Sequence, residues 1–367
     1  MVQLLLSSIR RQWRGAAMFP VCAGLFLSAA VAAPKGNAKA IVPEQYQMSM
    51  DGPRSLTWEH SFNSERQVKP NRSIWDKVVD FVAGEPDYHF LVNPYSVVTD
   101  SRGRVLVTDP GAEGVHIFDF NAHKYKLLQR TGKSKDNMLT PQCVAVDAQD
   151  NIYVTDSQAG EVFVFAVSGK FLRVIGSLKG GEGYFKRPTG IAVDSAAQRI
   201  YVTDTLRDQV FVLDMEGNIV GKFGSTGSGN GEFNLPTEVK LDGANLLVVD
   251  AMNFRVQVFD RAGTFQYSIG GIGDGPGSMF RPKGVAVDSE GDVYVVDSWL
   301  GGVQAFDRKG DLLYYFGSPG TRAGQFQLPA GLSIDHGDQV FVVDSFNRRV
   351  QVFQYAGLKA PSQEGVK

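Results

Sequence analysis

The chain is poor in the residues that cross-link proteins and carry out chemistry. It has two cysteines and five histidines in 367 residues. Cys22 falls in an N-terminal stretch that reads as an export signal, which leaves Cys143 alone. One thiol closes no internal disulfide, so the fold must stand on its core. Charge of one sign is lacking too: 37 basic against 39 acidic residues give a net charge of −2. That balance argues against the basic footprint of a nucleic-acid binder. No Ser-His-Asp pattern and no phosphate-cradling glycine loop stands out. The composition, 43% hydrophobic and 21% charged, excludes disorder, collagen and coiled coil. What is abundant is glycine (41) and phenylalanine (24), with Gly-rich turns between aromatic and β-branched runs, as in a protein of many short strands.

Residues 1–32 are expected to be a signal peptide. Arg10, Arg11 and Arg14 precede an uncharged, mostly apolar run from Ala16 to Val31, and Ala30-Val31-Ala32 supplies the small residues that signal peptidase needs. The rival reading is a retained membrane anchor, but the run falls short of the roughly 20 residues that span a bilayer. Cleavage implies a periplasmic or secreted protein with no stable membrane insertion. Residues 33–54 read as a linker and 358–367 as a flexible tail.

A repeat dominates the remainder. Pro94, Pro141, Pro188, Pro236, Pro282 and Pro329 recur every 46–48 residues. An Asp follows each by six residues, from Asp100 to Asp335, and a second Asp series runs 109, 156, 204, 250, 297 and 344. A strand-rich period of about 40–50 residues signals propeller blades. In one unit the strands read 189–193, 199–203, 209–213 and 219–223. They are apolar on both faces, as befits a blade held between two neighbours. Both Asp series recur in all six units, so they are expected to bond turn amides rather than to serve six identical catalytic sites.

These residues resemble the NHL-repeat family. Pro-x-Gly-(Ile/Val)-Ala-Val-Asp is clean at Pro282–Asp288, and Asn-x-Arg-Val-Gln-Val-Phe at Asn253–Phe259 and Asn347–Phe353. The resemblance covers residues 91–353 and implies an all-β, six-bladed β-propeller of four-stranded antiparallel blades. It is weak for activity, because NHL propellers include protein binders, RNA binders, sensor domains and a few lyases. The propeller is expected over 55–357. The last repeat stops after its third strand, so residues 55–62 are expected to supply the fourth strand of blade six and remove an open edge. An amphipathic helix is expected over 73–83, before blade one.

A site is expected around one mouth of the channel. In an up-and-down blade the fourth-to-first and second-to-third connections lie on one face, here termed the proline face. Tyr95, Gln142, Thr189, Thr237 and Lys283 directly follow prolines there and differ from blade to blade. The second-to-third turns add Arg207, Phe254, Trp299 and Phe346. Blade four also departs from its sisters with Glu238 and Lys240, two charges beside the channel in place of small residues. They read as an ion pair or as a polar contact to a ligand. The opposite face carries turns such as 148–151 and 289–292, expected to be solvated. Cys143 is expected to be small, buried and inert.

The leading expectation is an exported scaffold that binds a protein or a small polar ligand at the variable mouth, without nucleic acid and without a cofactor. The alternative is a periplasmic lyase or hydrolase with Ca or Zn in the channel. No histidine falls on a first strand, which weighs against a His-rich zinc site.

Overall fold

The computed structural model describes residues 46–50, 53–68, 88–129, 137–177 and 184–357. The signal, the helix expected over 73–83 and the tail lie outside them. The described chain is all-β: six antiparallel sheets, five of four strands and one of five. Blade three shows the plan. Its strands are Pro188–Asp194, Arg199–Asp204, Gln209–Leu213 and Ile219–Phe223, in that order across the sheet. The first three are buried at nearly every residue, whereas the outermost is largely exposed.

Sheet faces find their partners in the neighbouring blades. Among the described residues there are six buried apolar clusters, each built from two adjacent blades. One joins Leu106 and Ile117 of blade one to Val144 and Phe163 of blade two. Another joins Val342 and Phe353 of blade six to Val296 and Phe316 of blade five. Stability is therefore distributed around the ring rather than held in one centre. Near the axis the first strands approach closely. A Cβ on Gly190 would sit 2.6 Å from Glu238 Cα, and one on Gly331 would sit 2.6 Å from Ser96 Cα. Only glycine permits that spacing.

Blade six takes its first three strands from Leu332–Ile334, Gln339–Asp344 and Arg349–Ala356, and its fourth from Ser55–Phe62. Ser55 pairs with Ala356 and Phe62 with Val350. A fifth strand, Gln47–Ser49, pairs outside it with Ser55–Thr57. Leu56 and Phe62 of the closing strand are fully buried. Phe62 packs at an angle on Phe118 and edge-on to Phe120 of blade one, at ring distances of 4.9 and 5.1 Å, so the strand also fills the seam between blades six and one.

Candidate functional site at the proline face

The aspartates are structural. At the opposite face, Asp147 accepts the amides of Gln149 and Asn151 at 2.9 and 2.8 Å, and Asp335 accepts those of Gly337 and Gln339. The second series ties the two sets of proline-face connections together. Asp297 accepts Phe280 N at 2.6 Å and Arg281 N at 3.1 Å from one connection, and Trp299 N at 3.0 Å and Leu300 N at 3.1 Å from the other. Asp156 does the same for Leu139, Thr140 and Ala159. A carboxylate bonded by several amides fixes loop backbone, so side chains on these loops project from a rigid base.

Those side chains are largely apolar and exposed. Val92, Leu139, Leu235, Phe280 and Leu328 precede the repeat prolines, and all are at least a third exposed. Leu206, Met252, Trp299 and Phe346 stand two residues beyond the aspartates of the second series. Trp299 and Phe346 are each 70% exposed. Single exposed apolar residues mean little, but nine gathered on one end of a molecule form a patch. Trp299 and Phe346 come directly from the sequence pattern. The residues one or two places before the prolines were not singled out there.

The other expected residues divide in two. Arg207 folds back: its guanidinium donates to Tyr184 O at 2.9 Å and to Asp204 at 3.1 Å, and lies 5.3 Å from the Tyr184 ring centre. Phe254 adopts a left-handed φ of 57° and packs against the cluster between blades four and five. The remainder converge on the axis. Glu238 is buried and meets Lys240 Nζ at 3.2 Å. Burial pushes the Glu238 carboxyl up, and Lys240 opposes that rise. Tyr95 reaches from blade one to the cluster of blades two and three. The Lys283 ammonium, from blade five, lies 5.7 Å from the Tyr95 ring centre. Burial holds the Lys283 ammonium below the usual lysine range, and the charges of Arg281 and Arg187 add to that. Gln142 is half-buried, and its carbonyl accepts the Thr108 hydroxyl of blade one.

Thr189 and Thr237 occupy the same repeat position with opposite outcomes. The Thr189 hydroxyl meets Thr203 Oγ1 at 3.0 Å and Thr205 Oγ1 at 2.8 Å. In blade four those partners are replaced by Val249 and Ala251, and the buried Thr237 hydroxyl has no hydrogen-bond partner among the described residues. Cys143 is buried, and burial pushes its thiol up.

The opposite face corrects the expectation of solvated turns in part: Ala148, Gln149 and Ser289 are exposed, but the turn aspartates are not. Asp150 is buried because it accepts Ser101 N at 3.0 Å and Ser101 Oγ at 2.8 Å from the neighbouring blade. Asp292 is buried beside Asp288 and Arg54. A cavity of about 580 Å³ opens at this mouth, among Asp100, Asp147, Asp194, Asp335 and His336. Three of its carboxylates, Asp100, Asp147 and Asp335, are committed to their own turns. Of the described histidines, His116 is buried on a third strand, between Asp109 at 3.5 Å and Tyr125 at 2.8 Å. No group of three or more His, Cys, Asp or Glu among the described residues is placed to hold a metal ion. Nor is any described helix long and apolar enough to cross a membrane.

Comparison with known proteins agrees on architecture. A family model described as a 6-bladed beta-propeller matches residues 191–252 and 236–313. No curated protein matches the chain. Among solved structures, a structural genomics protein of unknown function from Bacteroides thetaiotaomicron is 13% identical, with a TM-score of 0.57 over 84% of this chain and 83% of that one. An auxiliary nutrient binding protein from the same organism is 13% identical, with a TM-score of 0.55 over 72% and 69%. A catalytically inactive virginiamycin B lyase from Staphylococcus aureus, with quinupristin, is 14% identical, with a TM-score of 0.53 over 74% and 86%. At such identities the likeness is one of fold. The chain is an all-β, six-bladed propeller of four-stranded antiparallel blades.

Proposed function

We propose that this chain is an NHL-type propeller of the cell envelope, exported through residues 1–32, that binds a protein partner on its proline face. The observation that carries the reading is the crown of nine exposed apolar side chains on that face, with its loops pinned by the Asp series. Rigid aromatic side chains on a fixed backbone lose little entropy on binding, and they dominate interface energetics. Trp299 and Phe346 are the anchors. Truncating such an anchor typically costs about 2 kcal/mol or more, roughly thirtyfold in affinity.

The test is capture of a partner from an envelope extract by the wild type and by two variants. Trp299→Ala with Phe346→Ala should lose the partner by far more than tenfold and leave the melting temperature nearly unchanged. Arg102→Ala, on an exposed turn of the opposite face, should retain it. Retention by the aromatic pair together with loss by Arg102→Ala would reverse the assignment of faces. A second reading, a lyase or hydrolase with a metal in the channel, draws on the buried Glu238–Lys240 pair. Stoichiometric Zn²⁺ or Ca²⁺ in the purified protein, lost together with activity in Glu238→Gln, would favour it.

A further inference from the structure

The centre of the proline-face mouth is cationic: Lys240, Lys283, Arg187 and Arg281 bear on it against the single carboxylate of Glu238. Lys283 lies over Tyr95, and Arg187 and Arg281 stand close enough to bear on both groups. Both arginines are exposed. Among the described residues, none of these three cations has an ion pair with a carboxylate. Glu238, the acid closest in the repeat, is deeper and already held by Lys240 at 3.2 Å. Like charges gathered without counter-charge cost free energy in the empty protein, and an anion relieves that cost.

A second observation points to the same place. Thr237 is only 9% exposed, and its hydroxyl lacks a hydrogen-bond partner among the described residues. It directly follows the repeat proline of blade four, as Lys283 does that of blade five, so the two hold equivalent positions on adjacent blades. A buried hydroxyl without a partner is costly, and blade three shows that the fold is able to satisfy this position when it carries Thr203 and Thr205.

We infer that this mouth is a receptor for an anionic group, a carboxylate or a phosphate, carried on an apolar body. Lys283, Arg187 and Arg281 supply the charge, Thr237 a neutral donor and Tyr95 the floor. The apolar crown meets the remainder of the ligand, which is the usual division of labour in a binding site. On a protein partner the group is an acidic side chain or a C-terminal carboxylate. The inference rests on the proline face being the binding face, and it names the chemistry received at its centre.

The experiment uses small probes, so that its outcome is separable from partner capture. Titration calorimetry of the mature protein compares 4-phenylbutyrate, phenyl phosphate and the uncharged 4-phenylbutanol. At least one anion should bind at a single site, at least tenfold tighter than the alcohol, and should weaken as salt rises. The tighter of the two anions identifies the source chemistry. Lys283→Met should weaken the anion at least tenfold without changing the alcohol. Arg187→Gln, an exposed change that leaves the core untouched, should weaken it severalfold. Absence of binding by both anions up to about 10 mM would overturn the inference, as would equal binding of acid and alcohol or an unchanged affinity in both variants. If the anions fail while Trp299→Ala with Phe346→Ala still loses the partner, the anion receptor falls and the apolar crown stands. If the anions bind while the aromatic pair keeps its partner, the reverse holds.

Discussion

Phe62→Ala tests whether the closing strand holds the ring through the seam it fills. The side chain is 1% exposed and sits between blade six and blade one, among Val350, Val352, Phe341 and Phe118. Removing a buried Phe side chain costs about 3–5 kcal/mol, because transfer free energy is lost and the cavity collapses only in part. The two aromatic contacts at 4.9 and 5.1 Å favour the upper half of that range. For a domain of this size, roughly 2–3 °C of melting temperature accompany each kcal/mol, so a drop of roughly 8–15 °C is expected. Leu172→Ala is the control. Leu172 lies on the outer strand of blade two and is exposed, so its truncation should stay within about 0.5 kcal/mol. Differential scanning calorimetry reads both, and limited proteolysis should show new cleavage near the closing strand in Phe62→Ala alone. A drop below about 2 °C, or equal drops in the two variants, would refute the reasoning.

Two further outcomes follow from buried polar groups. Burial, reinforced by the charge of Asp288, pushes the Asp292 carboxyl up to about 6, against an ordinary value of 3.8. The folded protein thus binds the proton more tightly than the unfolded chain, so stability from this group falls as pH rises from about 4 to 6 and stays lowered above. Asp292→Asn should flatten that part of the stability profile and raise stability at pH 7.5 by about 1–2 kcal/mol, after allowing for water at the turn. A urea-denaturation series across pH checks this, and an unaltered profile would count against it. The threonine pair should diverge: Thr189→Val removes a hydroxyl bonded to Thr203 and Thr205, which keep Gly190 N and Pro236 O as partners, and should cost about 0.5–1.5 kcal/mol, whereas Thr237→Val removes an unsatisfied hydroxyl and should be neutral or stabilising. Equal losses in both would show that the Thr237 hydroxyl has a partner.

The blades are legible in the sequence because each strand end is marked by chemistry that geometry demands. The prolines open the first strands, and the aspartates satisfy turn amides at fixed offsets. The site was legible only in part. Trp299 and Phe346 stand two residues beyond a repeated Asp, where the sister blades vary. Arg207 reads the same way in sequence, but Tyr184 and Asp204 draw it back, and those partners lie in the preceding connection and on the adjoining strand. The exposed residues before the prolines pass for ordinary apolar neighbours until the Asp297 and Asp156 bonds set the direction of the loops. Glu238 with Lys240 stands out at once, because two charges break a row of small residues. The unsatisfied Thr237 is invisible without knowing that Val249 and Ala251 face it. Gln47–Ser49 carries too few residues for a strand period to show, and it is held by pairing with Ser55–Thr57.

The closing strand also sets an order of events during synthesis. Gln339 bonds Glu59, 280 residues earlier in the chain, and the whole of Ser55–Phe62 pairs with the end of blade six. At about 5–20 residues per second, the ribosome needs on the order of 15–60 s to deliver the partner of a strand made near the start. Throughout that interval the ring stays open, and Leu56 and Phe62 lack the blade-six residues that bury them. A chain that stops short of Arg349–Ala356 never passes this stage, so the edge of Ser55–Phe62 that the complete chain pairs stays free. The seam thereby distinguishes finished chains from unfinished ones, by physics that a protease or a holdase is able to read.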